Sequence, residues 1–163
     1  MKYIQKESVP QIISDWIADK NSRNEALIYN SFTGKKELNE LLRAEQKHIC
    51  CYCQQRINRF NQNNNGNCHN EHLVPQQGIN GDFTSQMDYS NIYASCSFSS
   101  GTSPKHQYCG TAKGDNLIHP FIQNVLCSTF FKYLNGEIIP NSNIYDTYAA
   151  FIANEATLSD NEN

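Results

Sequence analysis

His48-Ile49-Cys50-Cys51-Tyr52-Cys53-Gln54-Gln55-Arg56-Ile57 is the stretch on which the fold turns. It reads as a short hairpin with cysteines at its turn. Cys50 and Cys53 stand at the C-x2-C spacing that lets one tight turn aim two thiolates at a single ion. Cys96 and Cys109 can supply the other two ligands of a tetrahedral site. The twelve residues between them, 97–108, are rich in Ser, Thr and Gly and must then bulge outward as a loop. Cys51 and Cys68 are competing ligands, and Cys127, in an apolar context, reads as core.

A metal staple answers a need set by size. The chain has 163 residues of which 39% are hydrophobic, enough for a modest core but not for extensive burial. A structural zinc contributes on the order of 10 kcal/mol to folding. The seven cysteines are an odd number, and the polar opening Met1-Lys2-Tyr3-Ile4-Gln5-Lys6-Glu7 has no apolar run behind it. No stretch is long and apolar enough for a membrane span. These features predict a cytoplasmic, reducing setting, in which clustered cysteines bind metal more often than they pair. The competing readings are buried unligated thiols and a thiol redox pair.

Outward from the cysteines, Ser8 is expected to cap a helix with Pro10 in its first turn and Ile13, Trp16 and Ile17 on one face. A second helix is expected over 35–46, with Leu38, Leu41 and Leu42 as its apolar stripe. Residues 58–70 form an Asn-rich loop. Glu71-His72-Leu73-Val74-Pro75 is strand-like and closed by proline, 78–88 is loop, and 89–96 is a short helix or strand. An apolar turn follows at 120–126. Residues 129–140 form a hairpin around Asn135-Gly136, a pair suited to the two positive φ angles of a type I′ turn. A last helix is expected over 144–153. With no repeat and no linker, 1–163 reads as one domain: a helical N-terminal extension (1–47), a zinc-knuckle core (48–120), and a hairpin with a C-terminal helix (121–163).

The formal net charge is −3. A free-standing DNA-binding protein draws much of its affinity from basic side chains that neutralise phosphates. Any nucleic-acid role here needs a local basic patch, for which Lys105, His106 and Lys113 are available, or a partner that supplies the grip.

The ordered series Cys50-x2-Cys53, Glu71-His72-Leu73-Val74-Pro75, Asn91-Ile92-Tyr93-Ala94-Ser95-Cys96 and Cys109-Gly110-Thr111-Ala112-Lys113-Gly114-Asp115 resembles the HNH nuclease motif. The resemblance implies an α+β chain with a ββα-metal core, held at its ends by a four-cysteine zinc. More narrowly, Cys50-Cys51-Tyr52-Cys53, Glu71-His72 with Pro75, Tyr89-Ser90-Asn91, and Cys109-Gly110 with Lys113-Gly114-Asp115 resemble the HNH subunit of Septu-type and retron-associated antiphage systems, whose partner is an ABC-type ATPase. The likeness covers about 50–120, and 153–158 is similar to that family's helical portion.

Phosphodiester hydrolysis needs an activated water and a metal that stabilises charge on phosphate and leaving oxygen. His72 suits the general base. The resemblance makes Glu71 a ligand of a catalytic magnesium or manganese ion, and Asn91 the middle asparagine that positions the His72 loop. In an ideal strand Glu71 and His72 point to opposite faces, so both serve one site only if the strand twists or bulges. Asn91 has an ordinary turn residue as its alternative. The motif departs from the family at Gly110, where Asn or His is usual. His106 and Asp115 are the first candidates to replace it, His119 stands behind them, and His69 is a further nearby ligand.

The expectation is therefore a metal-dependent endonuclease acting on nucleic acid, DNA first, in antiphage defence with an ABC-type ATPase. The alternative is a zinc-knuckle interaction module with a degenerate, inactive HNH site.

Overall fold

The computed structural model describes residues 2–58, 60, 66–77, 81, 84–116, 121–123, 127–135 and 137–141. Helix α1 spans Gln11–Ser22, bordered by Pro10 and not by Ser8, and no side chain caps its first turn. Proline fits that edge because the first amides of a helix have no carbonyl partner to lose. Ile13 is fully buried, and Trp16 meets Phe32 edge-on at 5.4 Å, so the expected face is the one that packs.

Helix α2 spans Lys35–Glu45 and buries Leu38, Asn39, Leu42 and Arg43. Leu41 falls on the outer flank of that stripe and is exposed. The buried Asn39 takes the central place instead, where it accepts from Arg43 at 2.9 Å and donates to Asn70 at 2.7 Å.

Strands β1 (Cys68–His72) and β2 (Ile92–Cys96) pair antiparallel, Cys68 opposite Cys96 and His72 opposite Ile92. The observed β1 begins three residues before the expected Glu71 start and ends at His72, because Leu73 and Val74 turn away to bond with Asn91. The 89–96 window divides into a 3-10 turn, Tyr89–Asn91, and β2. Every residue of β2 is buried, since both faces of the pair are covered. Helix α2 packs on one face, where Asn39 reaches Asn70, and the short helix α3 (Cys109–Lys113) packs on the other, where the Gly110 amide donates to Ser95 Oγ at 3.3 Å. Alternation along β1 thus gives Cys68, Asn70 and His72 to the α2 face and His69 and Glu71 to the α3 face.

The N-terminal segment is bound to this core by a cation. Lys6 donates to the Ile92 carbonyl at 2.9 Å, sits 3.6 Å above the Tyr89 ring, and pairs with Glu45 at 3.4 Å. Burial pulls its ammonium pKa down from 10.5 to about 8, against the opposing pull of Glu45.

The chain continues into the hairpin of β3 (Phe131–Leu134) and β4 (Glu137–Pro140), with Leu134 opposite Glu137. That register leaves two residues in the turn, and Asn135 has the expected positive φ of 50°. Gly136, the expected helix at 144–153 and the 153–158 segment lie outside the described residues. The architecture is α+β, with helices and two small antiparallel sheets. Among the described residues no helix is long and apolar enough to cross a membrane.

Candidate metal centre and adjoining cleft

The hairpin at 48–57 is real but minimal. Ile49 and Arg56 form a single antiparallel bridge, and the turn between them is closed by Cys50 N–H to Gln55 O at 2.9 Å and Gln54 N–H to Cys50 O at 3.1 Å. This turn carries Cys50 and Cys53, β2 ends in Cys96, and α3 begins at Cys109. The 97–108 connection does loop outward, largely exposed.

The Sγ atoms of Cys50, Cys53, Cys96 and Cys109 all lie within 4.8 Å of one another, and Cys53 and Cys96 are 3.8 Å apart. A tetrahedron with Zn–S bonds of about 2.3 Å has edges of about 3.8 Å. The set therefore fits a structural metal such as zinc. Backbone amides of Tyr52 and Cys96 donate to Cys50 Sγ at 3.4 and 3.3 Å, bonds that favour thiolate there. The neighbouring thiols, Cys109 first, pull the Cys50 thiol below its ordinary range. The Cys109 backbone sits in the left-handed region at φ 55°, which costs on the order of 1 kcal/mol and joins the extended Tyr108 to α3. Cys51, Cys68 and Cys127 are buried outside the cluster, Cys68 accepting from Asn39 at 3.4 Å.

At the other end of β1–β2 an open cleft of about 250 Å³ is lined by Glu71, His72, Gln76, Lys113 and Asp115 among others. Glu71 and His72 do point to opposite faces of β1. They share the cleft because it opens where the strand stops. A larger hollow of about 370 Å³, between residues 2–7 and 45–49, has no histidine in its lining.

Glu71 is almost enclosed by donors. The Tyr52 hydroxyl reaches Oε1 at 3.1 Å, the Lys113 ammonium stands 3.4 Å from the same oxygen, and His69 Nε2 lies 3.0 Å from Oε2. Burial, followed by the negative potentials of Cys51 and Glu71, keeps the Tyr52 phenol protonated, so it donates. Tyr52 belongs to the cysteine turn itself, and its hydroxyl links the metal centre to the cleft.

His72 is buried, with its ring edge-on to Tyr29 at 4.5 Å. Its Nε2 is 3.0 Å from the Gln86 carbonyl, which can only accept, so Nε2 carries the hydrogen. Nδ1 is then the acceptor, 2.9 Å from the Gln76 amide in the cleft wall. Burial holds the His72 pKa below its usual range despite the opposing pull of that carbonyl, and the ring is neutral near pH 7.

Asn91 is clamped behind His72. Its Oδ1 accepts from the Val74 amide at 2.8 Å, and its Nδ2 donates to the Val74 and Ser85 carbonyls at 3.1 and 3.3 Å. These bonds fix the loop that follows β1.

The other sequence candidates separate. Asp115 lines the cleft just beyond α3, which stops at Gly114 with φ 50° and ψ −128°, a conformation essentially confined to glycine. His106 is exposed in the 3-10 turn Pro104–His106, bonded to Ser103 at 3.1 Å, and is not among the residues lining the cleft. His119 lies outside the described residues. Sequence reasoning gave no role to Gln76, Gln86, Tyr29 or the Tyr52 hydroxyl. Only Tyr52 carried a signal, its place within the cysteine turn. No family model and no curated protein matches the sequence.

Proposed function

We propose that this chain is a metal-dependent HNH-type endonuclease that hydrolyses phosphodiester bonds of nucleic acid, DNA first. The observation that carries the reading is the neutral, buried His72. Its Nε2–H is fixed by the Gln86 carbonyl, and its Nδ1 lone pair faces a cleft shared with Glu71. A buried imidazole in that state is ready to accept a proton near pH 7.

The cleft offers a divalent ion the Glu71 carboxylate, and the His69 imidazole stands behind it, in contact with Glu71 Oε2. When bound, such an ion supplies charge stabilisation to the phosphate and the departing oxygen. The protein's own part follows from the geometry. Gln76 yields Nδ1 to a water, and His72 takes the proton from that water. The water oxygen forms the new bond to phosphorus as the bond to the departing sugar oxygen breaks, and that oxygen takes a proton from solvent. Asn91 keeps the loop after His72 in place, and Gln86 keeps the ring in its tautomer. On this reading β1, β2 and α3 are the ββα core and the four cysteines tie its ends with zinc.

The charge pattern supports dependence on a partner. The net charge is −3, and Lys113, the cation nearest the cleft, is already paired with Glu71. An ABC-type ATPase in an antiphage system fits that need. The test is cleavage of supercoiled, linear and single-stranded DNA and of RNA by zinc-loaded protein in Mg²⁺ or Mn²⁺, alone and with the proposed ABC-type ATPase. Cleavage by the wild type and not by His72→Ala supports the reading; equal silence of both under every condition sinks it.

One observation favours a second reading, an interaction module with an inactive site: Gly110 has no side chain to offer an ion. Such a module binds one zinc per chain and no second ion in the cleft.

A further inference from the structure

Gly110 meets neither solvent nor an apolar wall. A Cβ built on it would lie 2.6 Å from His69 Nε2 and closer still to Glu71 Oε2. Both distances are below what a carbon can occupy, and the obstacles are the two polar side-chain ends on the α3 face of β1. The side chain that Gly110 lacks is therefore replaced in space by groups from the neighbouring strand.

His69 and Glu71 are separated by one residue on β1, so alternation places them side by side. Their Nε2 and Oε2 atoms are 3.0 Å apart. Two ligands bound at about 2.1 Å in neighbouring positions of an octahedral ion are also about 3.0 Å apart. His69 is part-exposed, and its Nε2 contacts only Glu71 Oε2, a hydrogen bond whose proton an entering ion displaces to solvent; His72, on the other face, has both ring nitrogens engaged by Gln86 and Gln76.

We propose that His69 and Glu71 together hold the cleft ion, with Gly110 as the gap that lets them converge, and that the ion is a transition-metal dication such as Mn²⁺ in preference to Mg²⁺. This rests on the reading of the cleft as a divalent-ion site. An imidazole ligand suits first-row transition ions, whereas Mg²⁺ favours an all-oxygen shell. Lys113 points the same way: its ammonium sits 3.4 Å from Glu71 Oε1 and partly offsets the carboxylate charge on which a hard ion depends. The other oxygen, Oε2, is the one that faces His69.

The experiment uses the full chain with its zinc content measured. Mn²⁺ is titrated in and followed by the loss of the free-ion paramagnetic resonance signal, and pulsed resonance of the bound ion reads nitrogen coupling. The wild type is expected to bind one Mn²⁺ beyond its zinc, with an imidazole nitrogen coupled to it. His69→Gln should abolish that coupling and weaken binding at least about tenfold. Gly110→Ala should weaken it similarly at unchanged zinc content, and His72→Gln should leave the coupling in place. Lys113→Met should tighten binding. If His69→Gln binds Mn²⁺ like the wild type while Glu71→Gln does not, the His69 assignment is wrong and the wider nuclease reading stands. If binding depends on His69 but no nucleic acid is ever cut, the ion site stands and the nuclease reading falls. If the wild type binds no Mn²⁺, the ion site itself is refuted.

Discussion

The two ends of the β1–β2 pair do opposite things with similar economy. At one end, four thiols from three separate segments converge within 4.8 Å, with backbone amides donating to Cys50. At the other, the Glu71 carboxylate and the His72 imidazole border an open cleft, each held by donors or acceptors from other segments. A four-sulfur set leaves an ion no free position and so serves structure. A nitrogen–oxygen pair beside open space leaves positions free for water and substrate. On the proposed reading one small strand pair carries a closed centre and a reactive one without mixing their ligands. On the same reading softness would sort the ions, sulfur favouring zinc and oxygen with nitrogen a harder dication.

Breaking the closed end should have the largest effect. Cys96→Ser, or zinc removal by a chelator, is expected to abolish cooperative folding, a loss on the order of 10 kcal/mol. Circular dichroism with zinc analysis checks it, and a chelated protein that melts like the zinc-bound form would refute a structural role. At the open end, His72→Ala should lower cleavage about 10²- to 10⁴-fold while zinc content stays at one per chain.

Asn91→Ala should affect the open end through its backbone. The substitution strands the half-buried Val74 amide and carbonyl, an expected cost of about 1 kcal/mol in thermal or denaturant unfolding. Cleavage should fall with it, and an unchanged melting profile would show that the clamp is not needed. The smallest change sharpens the comparison most. Tyr52→Phe removes one hydroxyl between the two ends, so stability should drop by about 1 kcal/mol. Zinc affinity should hold while Mn²⁺ affinity shifts. If Mn²⁺ binding is untouched, the ends are mechanically independent.

How much of this could be read in advance follows the same division. Cys50 and Cys53 declare themselves by spacing, because a tight turn is a local object, and Cys96 and Cys109 complete a valence that the first pair leaves open. The two leading helices and the Asn135 turn are local too, apart from details such as Leu41, whose exposure depends on where α2 docks. The cleft is assembled over long range. His72 depends on Gln86 fourteen positions away, and Glu71 depends on Tyr52 and Lys113, contacts that no periodicity encodes. Gly110 illustrates the limit. In sequence it is a missing ligand; in three dimensions the His69–Glu71 pair fills its place.

The most direct measurement is cleavage of DNA by the zinc-loaded chain with Mn²⁺, with and without the proposed ABC-type ATPase, comparing wild type with His72→Ala at matched zinc content. A neutral His72 serving as the base at an open ion site predicts cutting by the wild type and its loss in the variant while the fold and zinc persist. Equal cutting by both, or none by either, with zinc intact would contradict it.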